Sequence, residues 1–122
     1  MLKSDLYVLN EFSAIGNKIE GTITFRPEHP IFKGHFPGQP IVPGVCMVRI
    51  VKEVAERHHR KKLKLTTADT IKFLSVIDPE LNHTIRLVIE TELEDDVYHT
   101  KAVLSRSETT YFKFNGIFEI AL

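Results

Sequence analysis

The chain has 122 residues, a length that fits one domain with one real core. Its 16 basic and 16 acidic residues cancel, so nothing in the charge points to nucleic acid as the main partner. A composition 43% hydrophobic and 26% charged excludes disorder, and a single cysteine, Cys46, excludes an internal disulfide.

Residues 6–15 and 19–25 read as two strands joined at Gly16-Asn17. Ile19, Ile23 and Phe25 fall on one side by period-two alternation, and the turn between the runs marks a hairpin. Arg26-Pro27-Glu28-His29-Pro30 then breaks the pattern. The stretch 35–45 follows, with sequence His-Phe-Pro-Gly-Gln-Pro-Ile-Val-Pro-Gly-Val. Pro37, Pro40 and Pro43 lack N–H donors and fix φ, which makes a stiff loop rather than a strand. Gly38 and Gly44 permit positive φ or close backbone approach. Pro43 or Gly44 sits where a helix begins, and proline suits the first helical position. The predicted result is a rigid turn that aims backbone N–H groups at one point near the imidazole of His35. A helix N-terminus stabilises negative charge, and a developing oxyanion benefits in the same way.

The only long helix is predicted over 43–59. Met47, Val48, Ile50, Val51, Val54 and Ala55 cover most of its first part, which is therefore buried. Cys46, among Val45, Met47 and Val48, reads as a small buried hydrophobe. Arg57, Arg60, Lys61 and Lys62 suit the negative end of the helix dipole and read as a solvated helix end or as a docking patch for an acidic partner. The rest reads as β structure: 68–77, then 84–93, a turn at Glu94-Asp95-Asp96, 97–105, and 111–114 with 117–121 around a turn at Asn115-Gly116. One buried helix among five or six antiparallel strands gives an α+β chain, a sheet wrapped around a helix, with 1–122 as a single domain. Its unpaired edges call for side-by-side dimerisation.

The histidines do not make a metal site. His58 and His59 point in different directions on a helix, and His29 and His35 lack accompanying Cys or carboxylate spacing. No phosphate loop and no Gly-x-Ser-x-Gly elbow is present. No apolar run approaches the ~20 residues of a membrane span, and no secretory leader pattern opens the chain, so the expected location is cytoplasmic.

The stretch from His35 to Val45 resembles the signature of the β-hydroxyacyl-acyl-carrier-protein dehydratases: His-Phe-Pro-Gly, a short spacer, Met-Pro-Gly-Val, then an acidic residue on the helix. Residues 72–79, Lys-Phe-Leu-Ser-Val-Ile-Asp-Pro, are similar to that family's strand with a basic-aromatic start and a proline turn. The resemblance implies a hotdog fold and a site at a dimer interface, with the histidine from one protomer and the carboxylate from the other. It implies an acyl thioester on acyl carrier protein as substrate, and no cofactor. One departure matters. The family's carboxylate falls fourteen residues after the histidine, and that position here is Arg49.

Dehydrating a β-hydroxyacyl thioester needs a base for the α-proton, an acid for the departing hydroxyl, and a donor for the thioester oxygen. His35 suits the first, because imidazole titrates near neutrality. The N–H of Gly44 suits the third, with Gly38 adding backbone room. Phe36, Val42, Met47 and Val48 would flank the acyl chain. Arg49 stays protonated and cannot be the acid. Glu53, at i+4 from Arg49, either serves the site or simply pairs with Arg49. Three readings follow: a dehydratase with altered acid chemistry; a non-catalytic acyl- or carrier-binding relative, including a partner subunit of an active dehydratase; and a hotdog thioesterase, which Arg49 disfavours.

Overall fold

The computed structural model describes residues 6–34, 40–81 and 84–122. Six strands form one antiparallel sheet: β1 (Tyr7–Ile15), β2 (Lys18–Phe25), β3 (Leu63–Phe73), β4 (Thr84–Glu94), β5 (Val97–Arg106) and β6 (Thr109–Ile120), in the order β1-β2-β4-β5-β6-β3. A single turn, α1 (Ile31–Gly34), precedes the long helix α2 (Gly44–His59). The sheet wraps around α2, as the hydrophobic pattern predicts.

Alternation decides which face meets the helix. Ile19, Ile23 and Phe25 of β2, Ile85, Leu87 and Ile89 of β4, and Ala102 and Leu104 of β5 are all buried. They share one face with Phe112, Phe114 and Phe118 of β6, whose rings run as a ladder with centroids 6.4 and 5.8 Å apart. Helix α2 returns Cys46, Met47, Ile50, Val51, Val54 and Ala55 to this core. Each aliphatic side chain fully removed from water there contributes about 1.5–3 kcal/mol before the entropy cost of ordering it.

The turns follow their residues. Asp95 and Asp96 both take positive φ, which matches the right-handed twist of the β4–β5 hairpin. Gly16, at φ +58°, closes the β1–β2 hairpin beside Asn17. Helix α2 ends on Arg60 in the left-handed region, and the Lys61 N–H returns to the Glu56 carbonyl. The Glu56 carboxylate accepts from the N–H of Leu63 at 2.8 Å, so β3 starts directly after the helix.

Two sequence expectations change here. The third strand starts at Leu63 rather than 68 and ends at Phe73 rather than 77, because its pairing with β6 extends back to Leu63 opposite Ile120. Asn115-Gly116 is not a turn. It lies inside β6, and the reversal occurs at Ser107-Glu108 instead. Gly116 serves close approach: a Cβ there would stand 2.6 Å from the Thr67 carbonyl oxygen of the bulged strand β3. Among the described residues no helix is long and apolar enough to cross a membrane.

Candidate active site

The start of α2 is the floor of the site. Pro43 caps the helix in an extended conformation, with no side-chain cap, and Gly44 is the first helical residue. The Cys46 N–H turns back to the Pro43 carbonyl at 3.0 Å, while the N–H groups of Gly44 and Val45 have no intrahelical acceptor. Glycine is needed at 44 for space. A Cβ there would meet the Phe73 ring at 2.6 Å, so the ring lies almost on the helix backbone. Phe73 in turn leans on Phe112, with centroids 5.4 Å apart.

Beside this contact opens a largely apolar cavity of about 660 Å³, walled by residues 41–45, Met47 and residues 73–76. Backbone bonds fix both walls. Val42 N–H donates to Ile77 O at 2.9 Å, and Leu74 N–H donates to Tyr111 O at 2.8 Å. Ile41 N–H is held by Phe32 O at 3.3 Å, which anchors the return of the proline-rich loop. Val42 and Met47 are buried, whereas Val45, Phe73, Leu74 and Val76 are each at least half exposed. The rim is therefore apolar and open, and it adjoins β3, an outer strand of the sheet.

Gly44, Val42 and Met47 line the cavity, and Val48 packs partly buried against the core without lining it. His35, Phe36 and Gly38 lie outside the described residues. Arg49 and Glu53 form an ion pair, Nε to Oε2 at 3.2 Å. The other Glu53 oxygen accepts from the hydroxyl of Tyr7 at 2.7 Å. Burial, together with Glu53, holds the Tyr7 phenol protonated far above its usual range. Glu53 does not line the cavity. It borders a second groove with Glu56, Arg57, Arg60, Lys61 and Lys62. Burial raises the Cys46 thiol, against a smaller opposing effect of Arg49. Among the described residues no three His, Cys, Asp or Glu converge as metal ligands would.

Sequence reasoning missed two features. The wall at 73–76 was visible as part of the resemblance, but nothing local showed that it faces Gly44. Tyr7 had no sequence signal at all, since it lies 46 residues from Glu53.

A curved antiparallel sheet around one helix, with an apolar cavity at the helix start, is the hotdog fold. The backbone is similar over 92% of its length to a chain of the dehydratase heterocomplex ApeI:P from Xenorhabdus doucetiae, with TM-score 0.75, 18% identity and 96% of that chain covered. It is also similar to an uncharacterized protein from Erwinia carotovora subsp. atroseptica, with TM-score 0.66, 22% identity, and 95% and 94% coverage. The family model described as ApeI-like, ApeI dehydratase, matches residues 12–111, and the chain belongs to this family. Among curated proteins it is similar to the 3-hydroxyacyl-(acyl-carrier-protein) dehydratase FabZ of Caulobacter vibrioides, at 29% identity over 92 residues, 75% of this chain and 54% of that protein. The enzyme of the same name from Rickettsia akari is 30% identical over 102 residues, 84% of this chain and 66% of that protein. The chain thus spans about half the length of the Caulobacter relatives it matches.

Proposed function

We propose that this chain is a 3-hydroxyacyl-thioester dehydratase subunit that takes its substrate from acyl carrier protein in the cytoplasm and draws its acid from a related partner subunit. The observation that carries the reading is the apolar cavity opening at the Gly44 start of α2. An acyl chain needs such a cavity, and a thioester oxygen needs the helix-start N–H groups beside it. In this reading His35 takes the α-proton, the double bond forms as the β C–O bond breaks, and the hydroxyl leaves as water after receiving a proton. The whole chain acts as one domain.

Arg49 and Glu53 favour the partner. Fourteen residues after His35 stands a guanidinium, which keeps its proton throughout the physiological range. Both oxygens of Glu53 already accept hydrogen bonds, and its carboxylate borders the basic groove instead of the cavity. The exposed rim of Val45, Phe73, Leu74 and Val76 beside the outer strand β3 supports pairing with a second sheet. A related chain with a carboxylate on its own helix would complete the acid–base pair. A homodimer would present two arginines and bind acyl thioesters with little turnover.

The test is hydration of a trans-2-enoyl thioester by the purified chain alone, with released thiol monitored in parallel. The expected result is dimerisation by sedimentation, binding of the thioester, and slow hydration. Robust hydration by the chain alone overturns the need for a partner. Thiol release without hydration points to a thioesterase. A monomer at micromolar concentration removes the homodimer, and a chain that also fails to pair with a related dehydratase subunit removes the shared-sheet arrangement.

A further inference from the structure

The cavity at the start of α2 has one aromatic side chain in its wall. Among the described residues that line it, only Phe73 carries an aromatic ring. The ring points its tip at the helix: Cζ, Cε1 and Cε2 would stand 2.6, 2.7 and 3.2 Å from a Cβ at residue 44. Phe73 is also more than half exposed, so a ligand in the cavity can touch it.

The ring is held in place. Pairing of β3 with β6 sets Phe73 opposite Phe112, and the two rings lie 5.4 Å apart at 31°. Phe112 is fully buried and packs in turn on Phe114, which leaves Phe73 no room to retreat into the core. The next residue is pinned as well, because Leu74 N–H donates to Tyr111 O at 2.8 Å. Outward movement would strip the ring from Phe112, and aromatic pairs favour such contact.

A thioester oxygen that accepts from Gly44 N–H lies about 2.9 Å from that nitrogen. The α carbon is two bonds beyond the oxygen, within about 6 Å of the same nitrogen. The tip of the Phe73 ring is inside the same radius, because it stands 2.6 Å from a Cβ two bonds away from the nitrogen. Gly44 and Phe73 line one cavity, so the α carbon comes to rest beside the ring tip. A CH₂ group there can meet the ring at ordinary contact distance, about 3.5–4 Å. A methyl turned toward the ring adds a further carbon in space the ring already fills. Farther from Gly44 the cavity is broad, about 660 Å³ and open at its rim, and its walls are aliphatic.

Building on the acyl-thioester reading, on which this rests, we propose that Phe73 determines specificity at the α carbon: its ring excludes a substituent there, so the cavity takes thioesters unsubstituted at that carbon. The exclusion is stereospecific. Of the two hydrogens on the α carbon, only the one facing the ring cannot be replaced by a methyl. A branch near the end of the acyl chain is accepted.

The test is calorimetric titration of the purified chain with saturated pantetheine thioesters: hexanoyl, each enantiomer of 2-methylhexanoyl, and 5-methylhexanoyl. The 5-methyl thioester should bind about as tightly as hexanoyl. At least one 2-methyl enantiomer should bind about tenfold more weakly or worse, the usual effect of one carbon too many against a fixed wall. Phe73→Leu, which removes the ring tip, should bring that enantiomer back toward hexanoyl. A merely structural role would weaken every thioester alike, so a ratio unchanged in Phe73→Leu overturns the assignment. Both 2-methyl enantiomers binding like hexanoyl overturns it too, as does a 5-methyl branch penalised as strongly as a 2-methyl one. The wild-type comparison decides even if the variant does not fold. If hexanoyl pantetheine itself does not bind, the acyl-thioester reading falls and this specificity with it; if hexanoyl binds without discrimination, only the role of Phe73 falls.

Discussion

Arg49→Glu tests whether this helix position governs the chemistry. The substitution removes the 3.2 Å bond to Glu53 and leaves two carboxylates one turn apart on α2. Both partners are partly exposed, so the lost pair is worth about 0.3–0.5 kcal/mol and the new repulsion costs a similar amount. Tyr7 still donates to Glu53. The expected stability loss is therefore about 1 kcal/mol, a drop of about 4 °C in Tm for a chain of this size. Against that small loss stands a functional gain. A cooperating acid or base in a proton-transfer step is typically worth ~10²–10⁴-fold. Enoyl-thioester hydration by the purified homodimer should rise by up to that factor, and His35→Ala in the same background should abolish the gain. A folded, dimeric Arg49→Glu variant with unchanged activity would refute the reasoning. If hydration in the wild type instead falls on Glu53→Gln, the acid is Glu53 and no partner carboxylate is needed.

Three further outcomes are expected. Tyr7→Phe removes a bond to a carboxylate and should lower the unfolding free energy by about 1–2 kcal/mol in urea denaturation, with the fold unchanged; full wild-type stability would show that the bond does not persist in solution. Gly44→Ala pushes a Cβ into the Phe73 ring, so acyl-thioester affinity measured by calorimetry should fall about tenfold, while helix content by circular dichroism holds because alanine is the better helix former; unchanged affinity would place the chain away from this cavity. Cys46 is buried and its thiol is raised by that burial, so it should react with a disulfide reagent far more slowly in native than in unfolded protein; fast native labelling would contradict the packing of the first turn of α2.

The sequence by itself determined most of the elements and the start of the long helix. Alternation in 19–25 and 84–93 is a local property, and it names the buried face before any partner is known. The proline and glycine spacing around Gly44 likewise marks a helix start, because φ limits act within one residue. Turn and bulge assignments were less secure. Asn115-Gly116 has the local chemistry of a turn, but the chain runs straight through it, since Gly116 is required by the carbonyl of Thr67 on the neighbouring strand. Such a requirement lies in the pairing of β3 with β6 and leaves no local trace. The same holds for the site. Sequence spacing placed Arg49 beside Glu53, because i and i+4 meet on any helix. Only the tertiary structure brought Tyr7 to the second carboxylate oxygen, laid Phe73 over Gly44, and turned His59 inward onto Tyr98. These are contacts between residues far apart in the chain, decided by how the sheet curves around α2, and no periodicity encodes that curvature.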